Sequence, residues 1–489
     1  MKIRKIRLRN FRNLRDVEIV AQNPLILCGE NNTGKTNLLF ALRLLLGTDS
    51  YRLSHDISVE DINDEALTKG ENWFTITIEL GDLQDHQELE AVFRETLWCE
   101  GDETFISLQG KYDKQAGGDY EWEVRLLPQE GRVSEPVPFT TRMAKMIPLF
   151  YLDAVRDATV ELRPTGRSML GSAMNEIDFS DVKSDVIKGI REANIALGKN
   201  AAIKSLSDGI AALLNPNIPG GHGQVSLGVA AEDPLQLVKG VRLNLQRVER
   251  GRPYDISRHG TGLQNMVLIA LFRYLLHADP IAQPILAIEE PEAHLHVNAQ
   301  RALFRELTRI STPVIITTHS PSIVSAADPL SLVRLKPKGD GNVSSHQLMK
   351  DSMNLKERNT FARLMRSGRS DAMFARSLLL VEGISEVTLI PAFADLLGQD
   401  LDREGVSLLP ADSNSFSFVL NACDSDNLSI PSVVVFDADA LEYNSDLLKD
   451  AFNARMISRE DLEGGRHAPY KDKINILERS RISAFNKFG

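Results

Sequence analysis

Hydrophobic and polar residues alternate at the start of the chain, where residues 3–11 place apolar side chains between basic ones. This period of two predicts a half-exposed strand. Residues 16–20 predict a second strand, and the apolar run at 24–28 predicts a buried one. A leucine-rich segment over 37–46 follows and predicts a helix. The chain therefore opens with strands that lead into a helix.

The same patterns recur along the rest of the chain. Strands are predicted at 73–80, 119–128, 147–152, 224–230, 236–243, 284–288, 313–318, 377–381 and 431–436, and helices at 262–277, 297–310 and 384–398. An acidic stretch at 85–103 separates the first two of these strands. The alternation of buried strands with helices predicts the α/β fold class.

The pattern also divides the chain into domains. Apolar residues recur at helical spacing from about 170 to 235, which predicts a helical insertion that is either a dimerisation element or an ordinary helical subdomain. A polar, glycine-containing stretch predicts the end of the first domain at residue 345. A helical linker over 346–372 then leads to a second α/β domain over 373–489. The length of 489 residues is compatible with this division.

Composition narrows the choice of partners. Acidic residues outnumber basic ones by 67 to 56, so the net charge of −11 argues against a general binder of polyanions. DNA would have to be held by local basic patches or through metal ions. Cys28, Cys99 and Cys423 are far apart, which argues against a disulfide framework or a zinc site. We find neither a signal peptide nor an apolar run of about 18 residues, and we therefore expect a cytoplasmic protein with no membrane span.

The first chemical motif follows the strand at 24–28. It is Gly-Glu-Asn-Asn-Thr-Gly-Lys-Thr over 29–36, which matches the phosphate-loop pattern G-x-x-x-x-G-K-[ST] between a strand and a helix. Backbone N–H groups of such a loop surround phosphates, while its lysine reaches the β- and γ-phosphates and its last hydroxyl binds Mg²⁺. The predicted ATP-binding residues are Gly29, Asn31, Asn32, Thr33, Gly34, Lys35, Thr36 and Asn37.

Two later strands end in polar residues that suit ATP hydrolysis. Glu289 and Glu290 end the strand at 284–288, and we assign Glu289 to magnesium and Glu290 to activation of the attacking water. His319 ends the strand at 313–318 and is predicted to contact the γ-phosphate. His294 and His296 follow the two carboxylates, either as metal ligands or as part of a loop that packs at a dimer interface.

A short glycine-containing segment opens the helix at 262–277. Ser257, Gly260 and Gly262 could present N–H groups to a phosphate of a second protomer. The alternative is a simple turn at the entry to the helix.

Carboxylates also end two strands of the second domain. Glu382 and Glu386 follow the strand at 377–381, whereas Asp437 and Asp439 follow the strand at 431–436. Because parallel strands end at one edge of a sheet, we expect the four to lie together. They could hold one or two Mg²⁺ or Mn²⁺ ions for hydrolysis of a phosphodiester.

These motifs, in this order, carry a resemblance. The opening strand, the phosphate loop, the Ser257 segment, Glu289-Glu290 and Thr318-His319-Ser320-Pro321 resemble the ABC-type ATPases of the SMC/RecF group. The carboxylates of the second domain resemble those of Toprim domains. Together they resemble the OLD (overcoming lysogenization defect) family of ATP-dependent nucleases. The resemblance implies an ABC-type P-loop ATPase domain with a helical insertion, followed by a Toprim domain.

The resemblance also implies an activity and partners. It implies ATP hydrolysis and Mg²⁺- or Mn²⁺-dependent cutting of DNA, in anti-phage defence or repair, by a homodimer or higher homo-oligomer. Arg156 is similar to a family residue near nucleotide, with a structural salt bridge as the alternative. Further expected metal-site residues are Asp461, Glu463, Lys471 and Lys473, unless they belong to a solvated charged tail.

Two other functions remain open at this point. One is an ATPase sensor subunit of a multi-protein defence complex, whose partner protein would be encoded alongside it. The other is a RecF-like repair ATPase with an inactive Toprim domain. The complete set of Glu382, Asp437 and Asp439 favours the nuclease over the second of these.

Overall fold

The computed structural model describes most of the chain. It covers residues 1–115, 118–128, 135–153, 162–163, 168–175, 243–245, 254–278, 283–293, 295–410 and 417–435, with short pieces between 185 and 208. The chain divides into two compact units, Met1–Ala154 with Ile281–Gly489, and Val155–Pro280.

The described strands and helices have the following bounds. The strands are β1 (Lys2–Phe11), β2 (Leu14–Val20), β3 (Leu25–Cys28), β4 (Trp73–Gly81), β5 (Trp98–Glu100), β6 (Glu103–Lys114), β7 (Tyr120–Leu127), β8 (Val137–Pro138), β9 (Leu149–Leu152), β10 (Asn244–Leu245), β11 (Tyr254–Asp255), β12 (Ile285–Glu289), β13 (Val314–Thr318), β14 (Leu332–Pro337), β15 (Val343–Gln347), β16 (Ser377–Val381), β17 (Val406–Pro410) and β18 (Ser432–Val435). The helices are α1 (Lys35–Leu46), α2 (Ser50–Ser54), α3 (Asp64–Thr68), α4 (Gln87–Phe93), α5 (Thr141–Met146), α6 (Met169–Asn175), α7 (Thr261–Ala278), α8 (Val297–Leu307), α9 (Pro321–Ala326), α10 (Leu355–Leu364), α11 (Ile384–Leu396), α12 (Leu401–Glu404) and α13 (Ser417–Cys423).

The first sheet of the larger unit is antiparallel. Its strands run in the order β2-β1-β4-β6-β7-β8, with β5 paired to β6. The alternation predicted for residues 3–11 is confirmed, because Ile3, Ile6 and Leu8 are buried while the basic residues between them are not. Ile6 pairs with Ile19 of β2 and with Ile78 of β4, so the apolar face continues across the three strands.

The second sheet carries the strands that follow the chemical motifs. Its order is β15-β14-β3-β13-β12-β9, and every pair is parallel except β14 with β15. The register pairs Cys28 with Thr318 and Glu289 with Thr317. The phosphate loop, the two carboxylates and the histidine therefore leave the sheet at the same edge.

Helix α1 packs between these two sheets. Its sequence is leucine-rich on nearly all sides, with eight of its residues buried. A helix that is apolar all round is stable only when it is covered on all sides, and α1 shares one hydrophobic core with strands of both sheets. The helix that follows the phosphate loop is therefore held in place by its packing against both sheets.

A third sheet follows the linker. It runs β17-β16-β18 and is parallel, with Val381 paired to Pro410 on one side and to Val435 on the other. The linker before it is helical over 355–374, as α10, a π turn at Met365–Arg369 and a 3-10 turn at Ser370–Phe374.

Arg334 of β14 joins this third sheet to the second one. Its side chain is 4% exposed. Its guanidinium donates to the carbonyl oxygens of Met373 (3.2 Å) and Ala375 (2.7 Å), and to those of Leu428 (3.4 Å) and Ser429 (3.1 Å). One cation therefore satisfies buried carbonyl groups from two segments that flank β16 and β18.

The smaller unit is described in part. It contains α6, the long helix α7 and the hairpin of β10 with β11. The predicted strands at 224–230 and 236–243 and most of the predicted insertion lie outside the described residues. Within the described part, no helix is long and apolar enough to span a membrane.

Some elements differ from those expected. Strand β6 begins at the last residue of the predicted acidic stretch and continues beyond it, with Ile106 and Leu108 buried on one face. The polar stretch before residue 345 contains the turn between β14 and β15, so this sheet extends to Gln347. Strand β17 was not predicted from sequence.

We predict that Arg334→Ala lowers the free energy of unfolding by about 3 kcal/mol, because it leaves buried carbonyl groups without a donor. Urea titration followed by fluorescence measures the change. The exposed Lys338 on the same hairpin is the control, and Lys338→Ala should change the value by less than about 0.5 kcal/mol. Equal, small effects of both substitutions would contradict this role of Arg334.

Candidate functional site

The loop between β3 and α1 has a backbone that only glycine can adopt at two positions. Gly29 and Gly34 have φ values of 152° and 82°. A Cβ atom at Gly29 would lie 2.4 Å from the carbonyl oxygen of Leu335, and one at Gly34 would lie 2.8 Å from Asn13 Oδ1. Leu335 and Asn13 therefore pack so closely against the loop that neither glycine could carry a side chain.

Lys35 is held inside this loop. Its side chain is 6% exposed, and Nζ donates to the carbonyl oxygens of Gly29 (3.0 Å) and Glu30 (2.7 Å). Burial lowers the pKa of Lys35, although the neighbouring Cys28 and carboxylates oppose this. No described carboxylate forms an ion pair with the ammonium. The lysine is thus preorganised for an anion by neutral oxygens, the two carbonyl groups and the hydroxyl of Thr33 at 3.4 Å.

Glu289 lies next to the first turn of α1. One of its oxygens accepts the hydroxyl of Thr36, and the other accepts the hydroxyl of Tyr151, on β9, at 2.5 Å. Burial, followed by the hydrogen bond to Glu289, raises the pKa of Tyr151, which therefore remains a donor. A carboxylate and a hydroxyl in direct contact form the pair of oxygen ligands that Mg²⁺ uses, directly or through water.

The side chain of Glu290 points away from the contact between Glu289 and Thr36. Its φ is 44°, a sparsely populated conformation for a residue other than glycine, and its N–H donates to the carbonyl oxygen of Thr317 at 3.0 Å. Its side chain is 39% exposed, and its Oε1 lies 3.6 Å from Nε2 of His319. The strained turn thus directs a solvent-accessible carboxylate toward the predicted phosphate sensor.

Glu292 fixes the position of His319. Its Oε1 accepts the hydroxyl of Thr318 and the N–H of His319, both at 2.7 Å, and burial raises its pKa. Its buried Oε2 has no partner among the described residues. Burial, and then Lys35, lowers the pKa of His319, so the imidazole is neutral at pH 7. The sequence analysis did not assign a role to Glu292, although it is the third carboxylate of its segment.

The asparagines predicted to bind ATP differ in their surroundings. Asn37 Nδ2 donates to Asn13 Oδ1 at 2.9 Å, and its Oδ1 accepts from Arg12, so its side chain anchors α1 to the turn after β1. Asn31 and Asn32 are exposed at the tip of the loop. Thr33 is buried, and its hydroxyl donates to the carbonyl oxygen of Glu30. Their contact with ATP remains a prediction.

Taken together, the residues present fit a nucleotide triphosphate with Mg²⁺. A loop that would not accept Cβ atoms at Gly29 and Gly34 surrounds a buried ammonium that has no acidic partner among the described residues, and Thr36 contacts Glu289 beside it. The helix N-terminus adds partial positive charge at the same place.

In the smaller unit, the Ser257 segment forms a helix entry. The N–H and the hydroxyl of Ser257 donate to Asp255 at 2.8 and 2.6 Å, and α7 begins at Thr261. Gly260 precedes the helix, and a Cβ atom there would meet nothing within 4 Å. Gly262 lies in the first turn. The predicted contact of these residues with a nucleotide of a second protomer stays a prediction.

The carboxylates of the third sheet are described in part. Glu382 directly follows β16, and Glu386 Oε2 accepts the N–H of Gly383 at 2.8 Å, which fixes the start of α11. Asp437, Asp439, Asp461, Glu463, Lys471 and Lys473 lie outside the described residues, as do Arg156 and His294. His296 caps α8. Over the ranges that are described, no three His, Cys, Asp or Glu side chains are placed to hold a metal ion.

Two contacts join the candidate nucleotide site to the segment just before β16. Arg376, one residue before β16, donates to both carboxylate oxygens of Glu30 at 3.2 and 3.3 Å. The ring of Phe374 lies over that of His319, with 6.4 Å between centroids. The sequence offered no signal for these contacts, because the two partners of each are 346 and 55 residues apart.

Family models match both parts of the chain. The model described as AAA ATPase domain, AAA_15, matches residues 1–116 and 141–324. The chain belongs to this ATPase family. A second model, described as overcoming lysogenization defect protein-like, TOPRIM domain, matches residues 373–439.

Curated relatives cover most of the chain at low identity. The "OLD nuclease" of Thermus scotoductus is 24% identical over 89% of this chain and 82% of its own. "Endonuclease GajA" of Bacillus cereus is 23% identical over 90% and 75%. The "Old nuclease" of Escherichia phage P2 is 22% identical over 90% and 78%. The predicted fold class and the predicted similarity to the OLD family, an ATPase followed by a TOPRIM domain, are confirmed.

We predict that Glu290→Gln leaves ATP binding intact but lowers ATP turnover by about 100-fold or more, because it removes the general base. Lys35→Ala should instead abolish binding. Fluorescent-nucleotide titration and phosphate release separate the two effects. The control is Glu60→Gln at an exposed position, which should match the wild type. Normal turnover in Glu290→Gln would assign water activation to another residue.

Proposed function

We propose that the chain is an ATP-binding and ATP-hydrolysing, Mg²⁺- or Mn²⁺-dependent DNA endonuclease that nicks or cuts DNA. One observation carries the proposal. The phosphate loop, with Thr36 in contact with Glu289, lies in the same compact unit as a TOPRIM-matching segment whose first strand is directly followed by Glu382.

The ATPase residues have separate tasks in this proposal. Lys35 and the N–H groups of the loop bind the β- and γ-phosphates, and Thr36 with Glu289 would hold Mg²⁺, which supplies charge neutralisation when bound. Glu290 takes a proton from the attacking water. The neutral His319 hydrogen-bonds the γ-phosphate, and its position depends on Glu292.

The nuclease residues belong to the third sheet. Val381 and Val435 are paired, so Glu382 leaves the sheet at the end where β18 stops, and Asp437 and Asp439 follow shortly afterwards in sequence. These three carboxylates would hold the divalent metal, which when bound orients a water against the phosphodiester. One oxygen of Glu386 already caps α11, so we give this residue a supporting role.

ATP regulates cutting in this proposal and does not drive it, because phosphodiester hydrolysis needs no nucleotide. The contacts of Arg376 with Glu30 and of Phe374 with His319 support this view. Glu30 and His319 belong to the candidate nucleotide site. Arg376 and Phe374 lie just before β16. A nucleotide that moves the phosphate loop or His319 would therefore act on β16, the strand that Glu382 directly follows.

Further parts of the proposal concern organisation. We propose a cytoplasmic protein, domain boundaries near 345 and 373, and a homodimer or higher homo-oligomer that could act with a protein encoded alongside. We further propose a role in anti-phage defence, with DNA repair as the alternative; the relative named endonuclease GajA supports the cutting activity itself.

We predict that the wild type nicks supercoiled plasmid with Mg²⁺ or Mn²⁺ and that Asp437→Ala loses this activity, because the metal would lose a ligand. Gel electrophoresis with and without ATP measures it. Asp402→Ala, at an exposed position of α12, is the charge-matched control and should nick normally. If neither the wild type nor the Asp402→Ala control nicks plasmid while ATP turnover is intact, the ATPase sensor subunit or the RecF-like repair ATPase becomes the better interpretation.

A further inference from the structure

A groove lined by arginines lies between the linker helix and the end of α9. Its volume is about 330 Å³. One wall is the turn of Ala327, Asp328 and Pro329. The other wall consists of Arg358, Asn359, Ala362, Arg363 and Arg366, and we call the whole feature the arginine groove.

The spacing of these residues explains the shape of the groove. Arg358, Ala362 and Arg366 are four residues apart, so they follow one face of α10 into the π turn after it. The small Ala362 leaves space between the two arginines. Arg363 stands beside them, and its Nη2 donates to Thr360 Oγ1 at 3.2 Å.

The positive charge of the groove is only partly offset by the described part of the protein. None of the three guanidinium groups forms an ion pair with a described carboxylate. Asp328 lies in the opposite wall, but its carboxylate accepts the N–H of Leu330 at 2.9 Å. Glu357, the nearest acid along α10, accepts the N–H of Asn354 at 3.0 Å. These two carboxylates therefore cap the starts of helices and form no ion pair with the three arginines.

The charge of the linker contrasts with that of the whole chain. Residues 354–370 contain one acidic residue, Glu357, whereas the chain has a net charge of −11. The basic residues of this segment are Lys356, Arg358, Arg363, Arg366 and Arg369. A chain with excess negative charge that binds a polyanion must concentrate positive charge locally, and this segment does so.

We propose that the arginine groove binds phosphate groups of the DNA backbone. This inference rests on the proposed nuclease function and adds to it a place where DNA is held. Arg358 and Arg366 are separated by about 12 Å along the helix axis. Phosphates of one strand follow each other every 3.4 Å or so along the DNA axis, so the row spans several of them. Guanidinium groups suit phosphate oxygens because they donate bidentately.

The groove adjoins the nucleotide site through a single short element. Helix α9 has six residues, begins at Pro321 just after His319 and Ser320, and ends at Ala326 beside the wall of the groove. DNA in the groove would thus lie one helix length, about 9 Å, beyond the segment that carries the phosphate sensor.

The test compares two double variants of the full chain. Arg358→Gln with Arg366→Gln removes two charges from the groove, whereas Lys338→Gln with Lys350→Gln removes two exposed charges outside the groove and the linker segment. Fluorescence anisotropy with a fluorescein-labelled 30-base-pair duplex in EDTA measures binding without cutting. The groove variant should bind roughly tenfold more weakly, equally for duplexes of different sequence. Its slope of log K against log salt should fall by about 2 relative to the control.

Other outcomes would overturn the inference. Equal weakening in both double variants would mean general electrostatics, and unchanged binding in the groove variant would exclude this groove. Displacement of the duplex by micromolar inorganic phosphate would indicate a site for a small anion. Both double variants should keep the ATP turnover of the wild type, which confirms folding. If the wild type cuts plasmid while the groove variant binds normally, only this inference fails; if the wild type neither binds nor cuts DNA, the proposed function fails as well.

Discussion

Parallel pairing of β3 with β13, and of β13 with β12, is the constraint on which the candidate nucleotide site depends. It places the ends of three buried strands at one edge of the sheet. The phosphate loop, Glu289 with Glu290, and His319 start from that edge. Contacts then fix the side chains: Thr36 and Tyr151 hold Glu289, and Glu292 holds the backbone of His319. The burial of α1 between two sheets makes this edge rigid.

The same sheet also determines where the TOPRIM-matching segment lies. Arg334 extends from β14, beside β3, and its buried guanidinium is bonded to four carbonyl groups around β16 and β18. The exposed ion pair of Arg376 with Glu30 adds little stability, since water and salt screen the attraction between exposed charges. Its importance lies in its position, because it connects the phosphate loop to the start of β16, the strand that Glu382 directly follows.

Local patterns predicted most of the nucleotide site, because each motif is continuous in sequence and ends a buried strand. The residues that support it were harder to predict. Tyr151 reaches Glu289 across 138 residues, and Arg376 reaches Glu30 across 346. No role was predicted for Arg334, and its burial depends on a segment almost 40 residues later. Strand β6 was missed because polar residues and Gly110 interrupt its apolar positions.

The central claim is that ATP binding at the loop controls cutting at the TOPRIM carboxylates. The most direct test is the plasmid nicking rate of Glu290→Gln with and without ATP, because this variant should bind ATP and fail to hydrolyse it. The account predicts that ATP changes this rate by about the same factor as in the wild type. A rate that ignores ATP, or nicking that disappears when hydrolysis is blocked, would contradict the account.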